Sequence, residues 1–313
     1  MPDLKRYGIA GATLATILLT GQVMQMASND KAAKVAAIQA MPLPVEISDI
    51  KLTASDGSDA EASVLAALDV GKSESQSPVR SVPVENDSCE ITMLAAPKAA
   101  ALVSLTIQAP CQPNERVVIH HNGMMFAEAT DSIGTLETTV PALAETAVFI
   151  ASFASGEGAV VTTNVDTLPS FDRAAVQVQG TSGISLHARE FDAEYGTEGH
   201  VWSDTPGSIA DAATGQGGFV LQLGDATLDN PITAEVYTFP TSIAKTEGEV
   251  LLSVDIEITA TNCGQDIEAQ TLQTDSSGGI KVQNLDMTMP DCDTVGDFLV
   301  LNNLVKNLKV ASN

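Results

Sequence analysis

Histidine is the side chain best suited to proton chemistry near neutral pH, and the chain's four histidines fall in two places. His120 and His121 stand together in "VVIHHNGMMF", residues 117–126, beside Met124 and Met125. Imidazole and thioether are a donor set for Cu(I). The other two lie in "ISLHAREF" and "GHVWSDTPG". There His200, Trp202 and Asp204 alternate along one strand face, with His187 and Arg189 on an earlier strand. A histidine and a carboxylate within reach of each other form a general acid–base pair. No Gly-x-Ser-x-Gly elbow, no His-Glu-x-x-His and no nucleophile in a recognisable setting accompanies them. The sequence therefore assigns no catalytic residue. His187, Arg189, His200, Trp202 and Asp204 are candidates for a recognition surface, with Tyr195 and Tyr237 in the same region. The structural alternative has Trp202 filling the core while His200 and Asp204 hydrogen-bond at strand ends.

Asn122-Gly123 governs the first pair. Asn-Gly tolerates positive φ at both central positions of a type I′ turn, so a hairpin is expected. His121 then faces Met124, and His120 faces Met125. Neighbouring strand residues point to opposite faces, which leaves His120 and His121 weak metal candidates as a pair. The acidic turns "ASDGSDAE" and "TDSSGG" lack EF-hand spacing. "GQGGF" lacks the Lys-Ser/Thr of a phosphate-binding loop. No cofactor is expected.

The elements that must position these residues read as strands. Aromatic residues make up 4% of the chain, and Ala, Val, Thr, Ser and Gly dominate, which favours short strands and turns over large helices. Forty acidic against 15 basic residues give a formal charge of −25. That field repels phosphate backbones, so nucleic acid is excluded as a partner. Lys5 and Arg6 precede "YGIAGATLATILLTGQVMQM", residues 7–26, which carries no charge. About 20 apolar residues suffice to cross a bilayer. Residues 1–27 are read as a cytoplasmic stub and transmembrane anchor, with a signal peptide as the alternative. Residues 28–87 read as an acidic disordered linker with one short helix at 59–70, where Ser58 and Glu61 have capping-box spacing.

Cys89, Cys111, Cys263 and Cys292 form two close pairs in separate halves, neither with C-x-x-C spacing. Three pairings are formally possible. Cys89–Cys111 with Cys263–Cys292 lets each half close independently, and buried free thiols are the alternative.

From Ser88 onward the period is two. Val103, Leu105 and Ile107 alternate, as do Leu136, Thr138 and Val140, and then Phe149, Ala151 and Phe153. Strand, Asn-Gly, strand, then "TDSIGTLETTVPALAETAVFIASFASGEGA" resembles bacterial immunoglobulin-like domains over residues 98–166. The resemblance implies a small β-sandwich used for spacing, adhesion or recognition, and residues 88–168 are expected to form it. Leu143 to Ala147 depart from the family's usual turn. In residues 169–313 the segments "AAVQVQG", "ISLHAREF", "GGFVLQLGD", "TAEVYTFP", "EVLLSVDIEITATNC", "IKVQNLDMTM" and "DFLVLNNLVKNLKV" read as strands of a second β-sandwich or jelly-roll-like domain.

"VIHHNGMMF", "VPALAETAVFIASF", "GHVWSD" and "MPDCDTVGDFLVLNNL" make the whole chain similar to a group of membrane-anchored alphaproteobacterial envelope proteins, some labelled translocase. One apolar segment does not build a translocation channel. The expectation is a mainly β, non-catalytic recognition or scaffold protein. It would be held in the inner membrane by a single span, with its C-terminal domains in the periplasm and other envelope proteins or a cell-wall component as partners. An envelope enzyme using His200 and Asp204, or an accessory subunit of a secretion or transport assembly, are the alternatives.

Overall fold

Period-two alternation organises every long element of the computed structural model, which describes residues 89–274 and 278–311. The expected anchor, linker and 59–70 helix lie outside the described residues. The first seven strands are β1 (Thr92–Lys98), β2 (Leu102–Gln108), β3 (Arg116–His121), β4 (Met124–Ala129), β5 (Thr135–Pro141), β6 (Thr146–Phe153) and β7 (Gly158–Asn164). They form two antiparallel sheets, ordered β1-β2-β5 and β4-β3-β6-β7. Val103, Leu105 and Ile107 of one sheet share a core with Ile119, Phe126, Phe149 and Ala151 of the other. The Asn122-Gly123 turn has φ of 49° and 89°, with His121 opposite Met124 and His120 opposite Met125. That is the hairpin the sequence predicts.

Ten further strands follow: β8 (Asp172–Gln179), β9 (Ile184–Glu190), β10 (His200–Val201), β11 (Phe219–Leu223), β12 (Ile232–Phe239), β13 (Gly248–Glu257), β14 (Asp266–Thr274), β15 (Ile280–Thr288), β16 (Phe298–Leu301) and β17 (Leu308–Val310). A one-turn helix, α1 (Ile209–Ala213), sits between β10 and β11. One sheet runs β11-β12-β8-β14-β15; the other runs β10-β9-β13-β16, with β17 also on β13. Val176 and Tyr237 of the first sheet and Leu186, Leu252 and Val254 of the second bury one core. Cys263–Cys292 closes one end beside Ile256, Ile258 and Met289, and Cys89–Cys111 staples the first half. Each such bridge typically stabilises by about 2–4 kcal/mol.

Two segments differ from the sequence reading. "DIEAQTLQT" is the nine-residue β14, hidden in sequence by polar residues. Thr271 and Gln273 are buried because the Leu304 and Lys306 main chain satisfies them. "DFLVLNNLVKNLKV" divides into β16 and β17, since Asn307 turns in to accept from Leu252 N at 3.0 Å.

The two halves are joined through the outer face of β8. Ala174, Val176 and Val178 face the second core, so Arg173, Ala175 and Gln177 face the first seven strands. Gln177 grips the hairpin turn, accepting from Met125 N at 2.7 Å and donating to Gly123 O at 3.2 Å. Asp225 N donates to Ala127 O at 2.8 Å, covering the β4 edge. Arg173 is fully buried, with no carboxylate partner among the described residues. Its guanidinium donates to Thr238 Oγ1, Ala142 O, Ala100 O and Ala101 O. Ala100 and Ala101 are both left-handed, φ 57° and 51°, a conformation that costs a residue with a Cβ. Burial pulls the Arg173 pKa down to about 9, which leaves it charged at neutral pH.

Replacing Arg173 with Met would strand the Ala100 and Ala142 carbonyls, while Ala101 O keeps its bond from Ala142 N at 3.1 Å. The expected loss is about 2–5 kcal/mol, read as a lowered urea midpoint with an unchanged slope. A midpoint equal to wild type would show that Arg173 holds nothing together.

Candidate functional site

Strand register assembles the histidine cluster. β9 turns Leu186 and Ala188 inward, which puts Ser185, His187 and Arg189 on the outer face. β13 turns Val254 and Leu252 inward and Ser253 and Asp255 outward. Ser253 lies opposite His187, and Asp255 opposite Ser185. On the other side β10 pairs His200 with Arg189, and Trp202 follows on the same face. The loop between β9 and β10, residues 191–199, folds back and lays Tyr195 over the group.

The result is a stack of rings. Trp202 lies 4.7 Å from His187 and 5.7 Å from His200, centroid to centroid, at 21° and 12°. Arg189 sits 4.8 Å above the Tyr195 ring, a cation–π contact. His187 and His200 are 5% and 6% exposed, Trp202 is half-buried, and Tyr195 and Asp204 are exposed.

The hydrogen bonds fix the tautomers. Gly196 N–H donates to His200 Nδ1 at 3.0 Å, so neutral His200 carries its proton on Nε2. That proton goes to His187 Nδ1, 2.8 Å away. His187 must then carry its own proton on Nε2, which donates to Ser185 Oγ at 2.8 Å. Burial lowers the pKa of both rings, opposed by the Asp255 carboxylate. Asp255 Oδ2 is 3.9 Å from His187 Nε2, while Oδ1 is buried with no hydrogen-bond partner among the described residues. Tyr195 OH bonds Ser253 Oγ at 3.0 Å, and burial raises its pKa.

The structure thus brings together His187, His200, Trp202 and Arg189. It leaves Asp204 out of hydrogen bonding with His200, whose two ring nitrogens are taken by Gly196 and His187. The strand ends at Val201, and Trp202 bridges Thr205, so Asp204 falls at the tip of a turn. Asp255, Ser185 and Ser253 belong to the cluster and were missed. Asp255 does stand on the polar side of "LSVDIEITA", but its register against β9 is not written in either segment.

The other pair separates as strand alternation requires. His121 is buried, stacked on Phe149 at 4.2 Å. Its Nε2 accepts from Leu143 N at 2.7 Å, so Nδ1–H donates to Val148 O at 2.9 Å. Both nitrogens serve the fold, and burial lowers the pKa to about 4. His120 points to the opposite face, half-buried. Among the described residues no three His, Cys, Asp or Glu side chains gather to hold a metal ion. No described helix is long and apolar enough to cross a membrane.

A groove of about 300 Å³ lies over β8, β14 and β15, lined by Gln177, Gln270, Asn284, Glu268 and Asp286 among others. Its amides are spent on one another: Gln177 donates to Gln270, and Gln270 to Asn284. Comparison with family models and with curated proteins finds no match for this chain.

His121 gives a signed pH prediction. The unfolded chain takes the proton near pH 6.5 and the folded one near 4. Stability from this group is therefore complete above pH 6.5 and falls by about 3 kcal/mol towards pH 4. Glu128, Glu190 and Glu235, all raised by burial, work in the opposite sense. Comparing wild type with His121→Gln isolates the histidine. Urea titrations at pH 7 and 4.5 should show a smaller acid loss in the variant; equal losses would contradict the assignment.

Proposed function

We propose that this chain is a non-catalytic recognition or scaffold protein of the bacterial cell envelope. Residues 1–27 anchor it in the inner membrane, and its β domains lie in the periplasm. The observation that carries this reading is the wiring of His187 and His200. Each ring nitrogen is committed to Gly196, to the other ring or to Ser185, so neither offers a free lone pair to a substrate proton. The two disulfides suit an oxidising compartment. On this reading residues 98–166 are an immunoglobulin-like sandwich, supported by the three- and four-stranded sheets around one core. Residues 169–313 are a second sandwich of jelly-roll type.

The recognition face is the outer side of the β10-β9-β13-β16 sheet, where Tyr195, Arg189 and Trp202 present rigid aromatic and guanidinium area. Such residues dominate binding energy at interfaces. An envelope protein or a cell-wall component is the partner class. Chemical crosslinking of the full chain in membranes should capture a partner. Tyr195→Ala or Arg189→Ala should weaken that capture roughly tenfold, about 1–2 kcal/mol. Capture indifferent to both variants, or turnover of envelope substrates by the purified protein, would sink the proposal.

A further inference from the structure

A hydrogen-bond chain in which every lone pair is used has nowhere to put an added proton. Gly196 N–H, His200 and His187 form such a chain, ending on Ser185. Each ring holds one proton. The two remaining lone pairs, on His200 Nδ1 and His187 Nδ1, already face donors at 3.0 and 2.8 Å. A second proton on either ring sets two N–H groups against each other, and one bond must break. On His200 the bond lost is the one that holds the Gly196 main chain.

Gly196 sits in the residue 191–199 loop, whose backbone is held by its contacts. Phe191 and Asp192 have φ of 52° and 65°, and Gly196 and Gly199 have 74° and 88°. Left-handed conformations at non-glycine residues persist where surrounding structure imposes them. Here the restraints include the Gly196 bond, Tyr195 OH on Ser253, and Arg189 on the Tyr195 ring. Burial disfavours a second proton on either ring, His200 opposes one on His187, and the neighbouring carboxylates favour it. Asp255 of β13 faces both rings, and Asp204 beyond β10 acts on His187, while Arg189 on β9 opposes both. Ser185 and Ser253 are neutral, and the Tyr195 hydroxyl keeps its proton. Asp255 Oδ2, 3.9 Å from His187 Nε2, is the carboxylate oxygen nearest an imidazolium at His187.

We infer that His187 and His200 form a proton-operated latch, in which protonation breaks the Gly196 bond and releases the 191–199 loop from the outer face of the sheet. Release bares Trp202, His187 and Asp255. The latch does not require that face to be a recognition surface.

Trp202 is the chain's one tryptophan and stacks on both rings, so its fluorescence reports the pair directly. The test takes the full chain from pH 7.5 to 4.5. It follows Trp202 emission and amide hydrogen exchange, corrected for the intrinsic pH dependence of exchange. The expected result is loss of protection in 191–199 together with a change in Trp202 emission, at a midpoint below the ordinary histidine value of 6.5, while β13 stays protected. His200→Gln, which can accept from Gly196 without titrating, should keep the loop protected through the same range. Unchanged loop protection in wild type, or release at the same pH in His200→Gln, would overturn the latch. If the variant does not fold, wild type still decides. Release of 191–199 alone supports the latch, and release only together with β13 refutes it.

Discussion

A buried guanidinium without a counter-ion ties the two halves of this molecule together. Desolvating Arg173 is costly, and no carboxylate offsets it among the described residues. Three main-chain carbonyls and a threonine hydroxyl supply the negative ends of dipoles instead. Two of those carbonyls belong to Ala100 and Ala101, left-handed residues that the guanidinium holds in place. One side chain on β8 therefore fixes a strained turn in the first half, and the first core runs on without a break to Ala175, Val236 and Leu272 of the second. The Gln177 grip on the Asn122-Gly123 turn works in the same direction.

That attachment determines which surface is left. The second half has two sheets around its core, and the first half packs on part of the outer face of the β8 sheet, around Ala175, Val236 and Leu272. Among the described residues the 191–199 loop lies over the outer face of the β9–β13 sheet, and there the histidines, the tryptophan and Asp255 collect. The buried polar groups between the sheets are satisfied internally. Glu190, for example, accepts from Tyr237 OH at 2.7 Å and Gly218 N at 2.8 Å, and burial holds its pKa up.

Local features were legible in the sequence, and long-range register was not. Asn-Gly specified the hairpin because only its own backbone is involved. The nearest-neighbour cysteine pairing followed from the same locality. His187, Arg189, His200 and Trp202 shared a face because β9 and β10 are consecutive and antiparallel. Asp204 departed from that alternation because the strand stops at Val201, and nothing in "GHVWSDTPG" marks so short a pairing. Asp255 was invisible as a site residue, since β13 is some 50 residues further along and its register is set by packing. Arg173 in "SFDRAAV" reads as an ordinary solvated charge; its burial depends on a partner surface that sequence alternation cannot identify.

Packing through β8 should make residues 89–274 and 278–311 behave as one cooperative unit. Urea unfolding of the full chain tests it most directly, followed at once by Trp202 fluorescence in the second half and by amide exchange of β2 and β3 in the first. A single coincident transition is predicted. Two separated transitions, with the first half melting apart from Trp202, would contradict the account.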